Sequence, residues 1–155
     1  MIFYAHRGNI YRAIPAMENS PDYIDTAIAE GWSVEVDLRK VGSTLFLGHD
    51  FPQYVTSLDW LTARQSKLLI HLKDIEAAKF LQKATSLHTF CHANDPFTMT
   101  SQGCIWHHDL STSLTGIVPL LTEQLLTASH WFNCHGVCSD YVYNAQKQFL
   151  KQHEN

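Results

Sequence analysis

Glu35 and Asp37 stand two residues apart in the run Val34-Glu35-Val36-Asp37-Leu38, where acids alternate with apolar residues. A period of two belongs to a β-strand, in which residues i and i+2 point to the same side. Both carboxylates therefore leave the strand from one face, while Val34, Val36 and Leu38 pack on the other. Two carboxylates one strand repeat apart repel each other unless a cation or a proton lies between them. Hard cations such as Mg²⁺ and Ca²⁺ take oxygen ligands, so the pair is a candidate metal site. A half-exposed strand carrying two solvated acids is the plainer reading, and the rest of the chain has to decide between them.

The elements around this pair alternate between strand and helix. Residues 2–5 are a short apolar strand ending at His6-Arg7-Gly8. After a loop, Asn19 or Ser20 caps a helix that starts at Pro21 and stops at Gly31, with Tyr23, Ile24, Ala27 and Ile28 as its apolar stripe. The acidic strand, 33–39, follows at once, and a turn at Gly42-Ser43 sends residues 44–47 towards Gly48-His49-Asp50. Beyond it the pattern predicts a short helix over 57–65, a strand over 67–73 and a helix from an Asp74 cap to about Thr85. A strand over 88–93 and a helical turn from Asp95-Pro96 come next. Strands over 104–107 and 117–120, a helix over 122–128, short strands over 131–133 and 136–139, and an amphipathic helix over 141–153 complete the reading.

This alternation predicts an α/β fold on a parallel sheet with right-handed crossovers. Polar side chains gather where the strands stop: His6-Arg7, then Glu35 and Asp37, then His71 and Lys73, then His92, then His107-His108-Asp109. In α/β barrels that rim is where active sites are built. Histidines with ordinary pKa values near neutrality can give and take protons there.

At 155 residues the chain has the size of one domain, taken as residues 1–155. It is 45% hydrophobic and 17% charged, which places it with compact proteins rather than disordered ones. A formal net charge of -4 and the absence of a basic stretch argue against nucleic acid as a partner. No apolar run reaches the length of a membrane span, so no integral membrane segment is expected. The first residues do not read as a secretory signal, so a cytoplasmic protein with free thiols at Cys91, Cys104, Cys134 and Cys138 is expected. Cys134-His135-x-x-Cys138 has the flavour of a zinc ligand pair but lacks a second pair at zinc-finger spacing.

The ordered set His6-Arg7-Gly8, Glu18-Asn19-Ser20, Glu35-Val36-Asp37 and His49-Asp50 resembles the N-terminal signature of the glycerophosphodiester phosphodiesterases, within the phospholipase C-like phosphodiesterase superfamily. Gly136-Val137-Cys138-Ser139-Asp140-Tyr141 is similar to that family's last-strand motif. The resemblance implies an unusually short member: a minimal TIM-type barrel with shortened or missing helices. It implies metal-dependent cleavage of a small phosphodiester, glycerophosphodiester-like, in lipid metabolism. By the same resemblance His6 and His49 match the two catalytic histidines and Arg7 matches the phosphate-binding arginine. Glu35 and Asp37 match metal ligands; Glu18 is either a further metal ligand lining the site or a cap or buttress of its loop. The residue types suit such chemistry, since a metal and a guanidinium both neutralise charge on the phosphoryl oxygens, while two histidines supply an acid and a base.

Two departures stand out. The family's third strand carries Glu-x-Lys, with the glutamate on the metal and the lysine near phosphate; here it reads His71-Leu72-Lys73. Imidazole suits transition metals better than Mg²⁺ or Ca²⁺, so His71 as a ligand would favour Mn²⁺ or Zn²⁺. The chain is also shorter than the 200 or more residues typical of a complete barrel. These departures leave a second expectation open, a catalytically weak barrel that binds a phosphorylated ligand.

Overall fold

The computed structural model describes residues 1–84, 86–111, 114–127 and 130–153. The ends expected for two helices, at Thr85 and Ala128, lie outside the described residues. Among those described, ten strands form one sheet and five helices accompany it.

The strand β1 (Ile2–His6) lies at the middle. It pairs in parallel with β2 (Ser33–Val41) on one side and β10 (Gly136–Ser139) on the other. Nine residues make β2 long enough to serve three neighbours. Its start pairs with β1, its middle with parallel β5 (Leu68–Leu72), and its tail with antiparallel β3 (Thr44–Leu47). The strand β4 (Tyr54–Thr56) extends β3, and β6 (His88–Phe90) pairs in parallel with β5. On the far side β10 pairs in parallel with β9 (Ile117–Pro119), and β9 with β8 (Ile105–His107). A short antiparallel strand, β7 (Phe97–Met99), flanks β8. No ladder joins β6 to β8, so the sheet is open there.

The helices follow local signals. Ser20 accepts a hydrogen bond from the Tyr23 amide and caps α1 (Pro21–Ala29), whose first position is Pro21. Ser57 caps α2 (Leu58–Ala63) and Asp74 caps α3 (Ile75–Leu81) in the same way. The remaining helices are α4 (Glu123–Leu126) and α5 (Val142–His153).

Period-two alternation sorts the strand side chains into two faces. Val34, Val36, Leu38 and Ile70 are buried against Ile24 and Ala27 of α1, Leu61 of α2, and Ala77 and Leu81 of α3. Val118, Leu120 and Val137 pack against Leu126 of α4, Ala145 of α5 and Trp131. Burial of each such aliphatic side chain stabilises the fold by roughly 1.5–3 kcal/mol. On the other face Tyr4, Leu69, Phe90, Trp106, Ile117 and Cys138, from six different strands, form one small cluster. The sheet therefore curls around that cluster, with Phe90 of β6 stacked on Trp106 of β8 at 4.4 Å.

Three sequence expectations need correcting. Residues 131–133 are a turn rather than a strand, because Trp131 is pulled fully into the core against Phe132. Asp95-Pro96 leads into β7 rather than opening a helical turn. Cys134 and Cys138 do not share a site: the first packs in the helix-covered cluster and the second in the inner one. All four cysteines are free thiols. No helix is long and apolar enough to cross a membrane among the described residues.

Candidate active site

Register brings the chemistry together. His6 is the β1 partner of Glu35, and His71 is the β5 partner of Asp37. Since Glu35 and Asp37 share a strand face, all four side chains point into the curled side of the sheet, at the end where the parallel strands stop. A cavity of about 330 Å³ opens there. His6, Arg7, Glu35, His49, His71 and Lys73 line it, with Asp37 fully buried close to Lys73 and His71.

The β1 exit is tightly held. Arg7 and Asn19 both adopt positive φ, 53° and 63°, a conformation that ordinarily disfavours side chains larger than glycine. The Arg7 amide donates to the Glu35 carbonyl at 2.9 Å and the Asn19 amide to the Arg7 carbonyl at 3.1 Å. Asn19 then grips Asp37 twice: its amide nitrogen donates to Oδ2 at 3.0 Å, and its amide oxygen accepts from the Asp37 backbone N–H at 2.9 Å. Glu18, expected as a possible metal ligand, instead accepts from Arg7 at 2.9 Å and from Asn9 at 3.0 Å. It braces the arginine and stands outside the acidic group. Arg7 Nε lies 2.9 Å from Asp37 Oδ2 as an ion pair.

Glu35, Asp37 and His71 offer ligand atoms that all lie within 4.8 Å of one another, and all three residues are buried. His71 Nδ1 is 3.2 Å from Asp37 Oδ1 and 3.8 Å from Glu35 Oε1. Glu35 Oε2 is buried without a hydrogen-bond partner among the described residues, while Asp37 Oδ1 has His71 Nδ1 at 3.2 Å and Lys73 Nζ at 4.0 Å. A buried carboxylate oxygen lacking a donor is costly unless a cation stands in for it. The donor set thus fits a divalent ion, and this group could hold one. Burial, joined by the charge of Asp37, raises the Glu35 carboxyl well above its ordinary range. Burial alone would raise Asp37 too, but His71, Arg7 and Asn19 outweigh it and hold this carboxyl well below the ordinary range. Burial pushes the His71 imidazole down to about 4, Lys73 adding to the effect and Asp37 opposing it. A neutral imidazole beside an ionised carboxylate is what a metal ligand set requires.

His6 is oriented from behind. Its Nδ1 lies 2.7 Å from Asp140 Oδ1, leaving Nε2 3.9 Å from Glu35 Oε2. Asn9 donates to the same Asp140 oxygen at 2.7 Å. Burial disfavours the His6 imidazolium, yet the Asp140 hydrogen bond and the charge of Glu35 win, and its pKa is raised. His49 lines the same cavity from the loop after β3, with Nδ1 2.7 Å from Asp50 Oδ1. Arg39 fixes that loop by donating from Nε to the carbonyls of Gly48 and His49, at 3.1 and 3.2 Å, and from a terminal nitrogen to His49 again.

At the rim, His92 lines the cavity, while His107 turns inward to accept from the Gly116 amide and His108 takes the lining position. Asp109 is outside the lining and accepts from the Ser111 amide. Sequence reasoning gave no part in the site to Asn9, Asn19 or Asp140; Asn19 stood only as a candidate helix cap, a place that Ser20 takes. Asn19 and Asp140 lie inside the stretches that carry the family resemblance, so that signal was present; their partners, across the sheet, were not readable.

No protein-family model, no curated protein and no solved structure matches this chain.

Proposed function

We propose that the protein is a metal-dependent phosphodiesterase acting on small phosphodiesters, built on a minimal barrel whose wall is incomplete between β6 and β8. One observation carries the reading. His6, His49, Arg7 and Lys73 line the same cavity as Glu35 and His71, and the Glu35 Oε2 oxygen is buried there without a hydrogen-bond partner among the described residues. The barrel part of the proposal rests on the pairing of β1 with β10 and on the six-strand inner cluster.

Glu35, Asp37 and His71 would hold the metal. When bound, a divalent ion supplies positive charge against the phosphoryl oxygens and polarises the diester. Arg7 and Lys73 bind the remaining phosphate charge, Arg7 as a planar fork steadied by Glu18. His6, kept protonated by Asp140, gives its Nε2 proton to the departing alkoxide. His49, from the loop after β3, takes a proton from the attacking hydroxyl, either a neighbouring alcohol of the substrate or water. A neighbouring-alcohol attack leaves a cyclic phosphate; water then opens it, giving its proton to His6 while His49 returns one to the ring oxygen that departs.

The test is a panel of glycerophosphodiesters and a chromogenic aryl phosphodiester, assayed with Mg²⁺, Ca²⁺, Mn²⁺ and Zn²⁺ and with chelator. Metal-dependent turnover that His6→Ala and His49→Ala each abolish is expected. The second reading, a binder of a phosphorylated ligand with little turnover, draws on His71 standing where a carboxylate would give the ion more charge. Phosphate-ester binding without turnover under any metal would select it.

A further inference from the structure

The cavity has two unlike halves. Its charged half holds His6, Arg7, Lys73 and the acidic group. Its other half is walled by Trp106, His108, Leu110, Pro119, Leu121 and Leu125, with His92 beside His108 at 4.3 Å. Four of these six side chains have no polar atom; the exceptions are the His108 imidazole and the Trp106 indole N–H, which is buried without a partner among the described residues. The halves are joined by a continuous aromatic stack: Trp106 on Phe90 at 4.4 Å, Phe90 on His71 at 4.6 Å, and His71 on His92 at 4.7 Å.

A phosphate pinned by Arg7 and Lys73 sends one of its two alcohol groups towards the apolar wall. A polyol there would give up water for leucine and proline, and hydroxyls buried without partners are penalised. A hydrocarbon group gains from the same transfer. At about 330 Å³ the cavity is at the small end for ligand sites, which suits a short chain or one ring. We infer that the substrate is a phosphodiester in which one alcohol is apolar, a short alkyl or an aryl group, seated against Trp106, Leu121 and Leu125. This deepens, and rests on, the phosphodiesterase reading above.

The test compares two diesters that share a choline phosphate: hexylphosphocholine, below its micelle-forming concentration, and glycerophosphocholine. Each is titrated calorimetrically, in the cold, into the full chain loaded with Mn²⁺. Hexylphosphocholine should bind about tenfold tighter or more, since each methylene leaving water adds about a fourfold factor. Leu121 is 37% exposed, so Leu121→Asn leaves the fold intact. That variant and Leu125→Asn should shrink the preference while leaving glycerophosphocholine affinity unchanged. Equal affinities, or a preference that both variants retain, overturn the apolar seat and leave the phosphodiester reading standing. If neither diester binds, the phosphodiester reading itself falls and takes the seat with it.

Discussion

Asp140 decides how His6 can act. With Nδ1 engaged by a carboxylate, the proton available to a substrate is the one on Nε2, and the imidazolium is favoured against the pull of burial. Asp140→Asn keeps the shape and removes the charge. The pKa of His6 then falls, so a smaller share is protonated near neutrality and the alkaline limb of the rate profile moves to lower pH. Loss of a buried orienting partner of this kind lowers activity by about tenfold or more. A pH–rate profile of the variant that keeps the wild-type alkaline limb would remove His6 as the acid. At the acidic group, His71→Glu adds a negative charge and an oxygen ligand in place of a borderline nitrogen. Titration calorimetry should find Mg²⁺ binding strengthened relative to Mn²⁺. An unchanged Mg²⁺ to Mn²⁺ ratio places His71 outside the ion's ligand set.

Among the elements, the long β2 strand does the most positioning: it carries both acids, pairs with the strands that carry His6 and His71, and lends Arg39 to the His49 loop. Arg39→Met keeps the side-chain stem while removing every donor. His49 should then be held less firmly, and kcat should fall about tenfold while metal affinity is unchanged. Steady-state kinetics beside a metal titration check this; equal losses in both would mean that the variant has disturbed β2 itself. The alternation in β2 was readable because Val34, Val36 and Leu38 are all fully buried on one face. The strand β7 was not readable, since Phe97 and Met99 are exposed and its order comes from pairing with β8. The aromatic run from Trp131 has strand propensity, but a fully buried indole in a turn outweighs it. The acidic pair and both histidines could be singled out from local pattern and motif. The bond from His6 to Asp140 spans 134 residues and belongs to the tertiary fold.

Over the whole molecule the weak line runs between β6 and β8, where no ladder forms. Ser101 fastens it: its amide donates to the Thr89 carbonyl at 2.8 Å, and its hydroxyl accepts from the Thr89 amide at 2.9 Å and donates to the Leu87 carbonyl at 3.0 Å. Ser101→Ala removes the two hydroxyl bonds and should destabilise the protein by about 1 kcal/mol. Calorimetric unfolding should then show a Tm lower by about 2–4 °C, and hydrogen exchange should quicken first at Thr89. An unaltered Tm would mean that the hydroxyl adds nothing to a seam already closed by the Ser101 amide bond, the His88–Thr100 hydrogen bond and the stacking of Phe90 on Trp106.

The place of β1 between β2 and β10 bears on how the chain is made. During synthesis β1 emerges early and β2 can cover one of its edges, but its other edge belongs to residues 136–139. Until those leave the ribosome, the nascent chain carries a central strand with a bare row of amides and carbonyls, and His6 waits for Asp140. Folding to the competent state therefore waits for residues 136–140, and until they are available the exposed edge of β1 is a site at which the chain can aggregate.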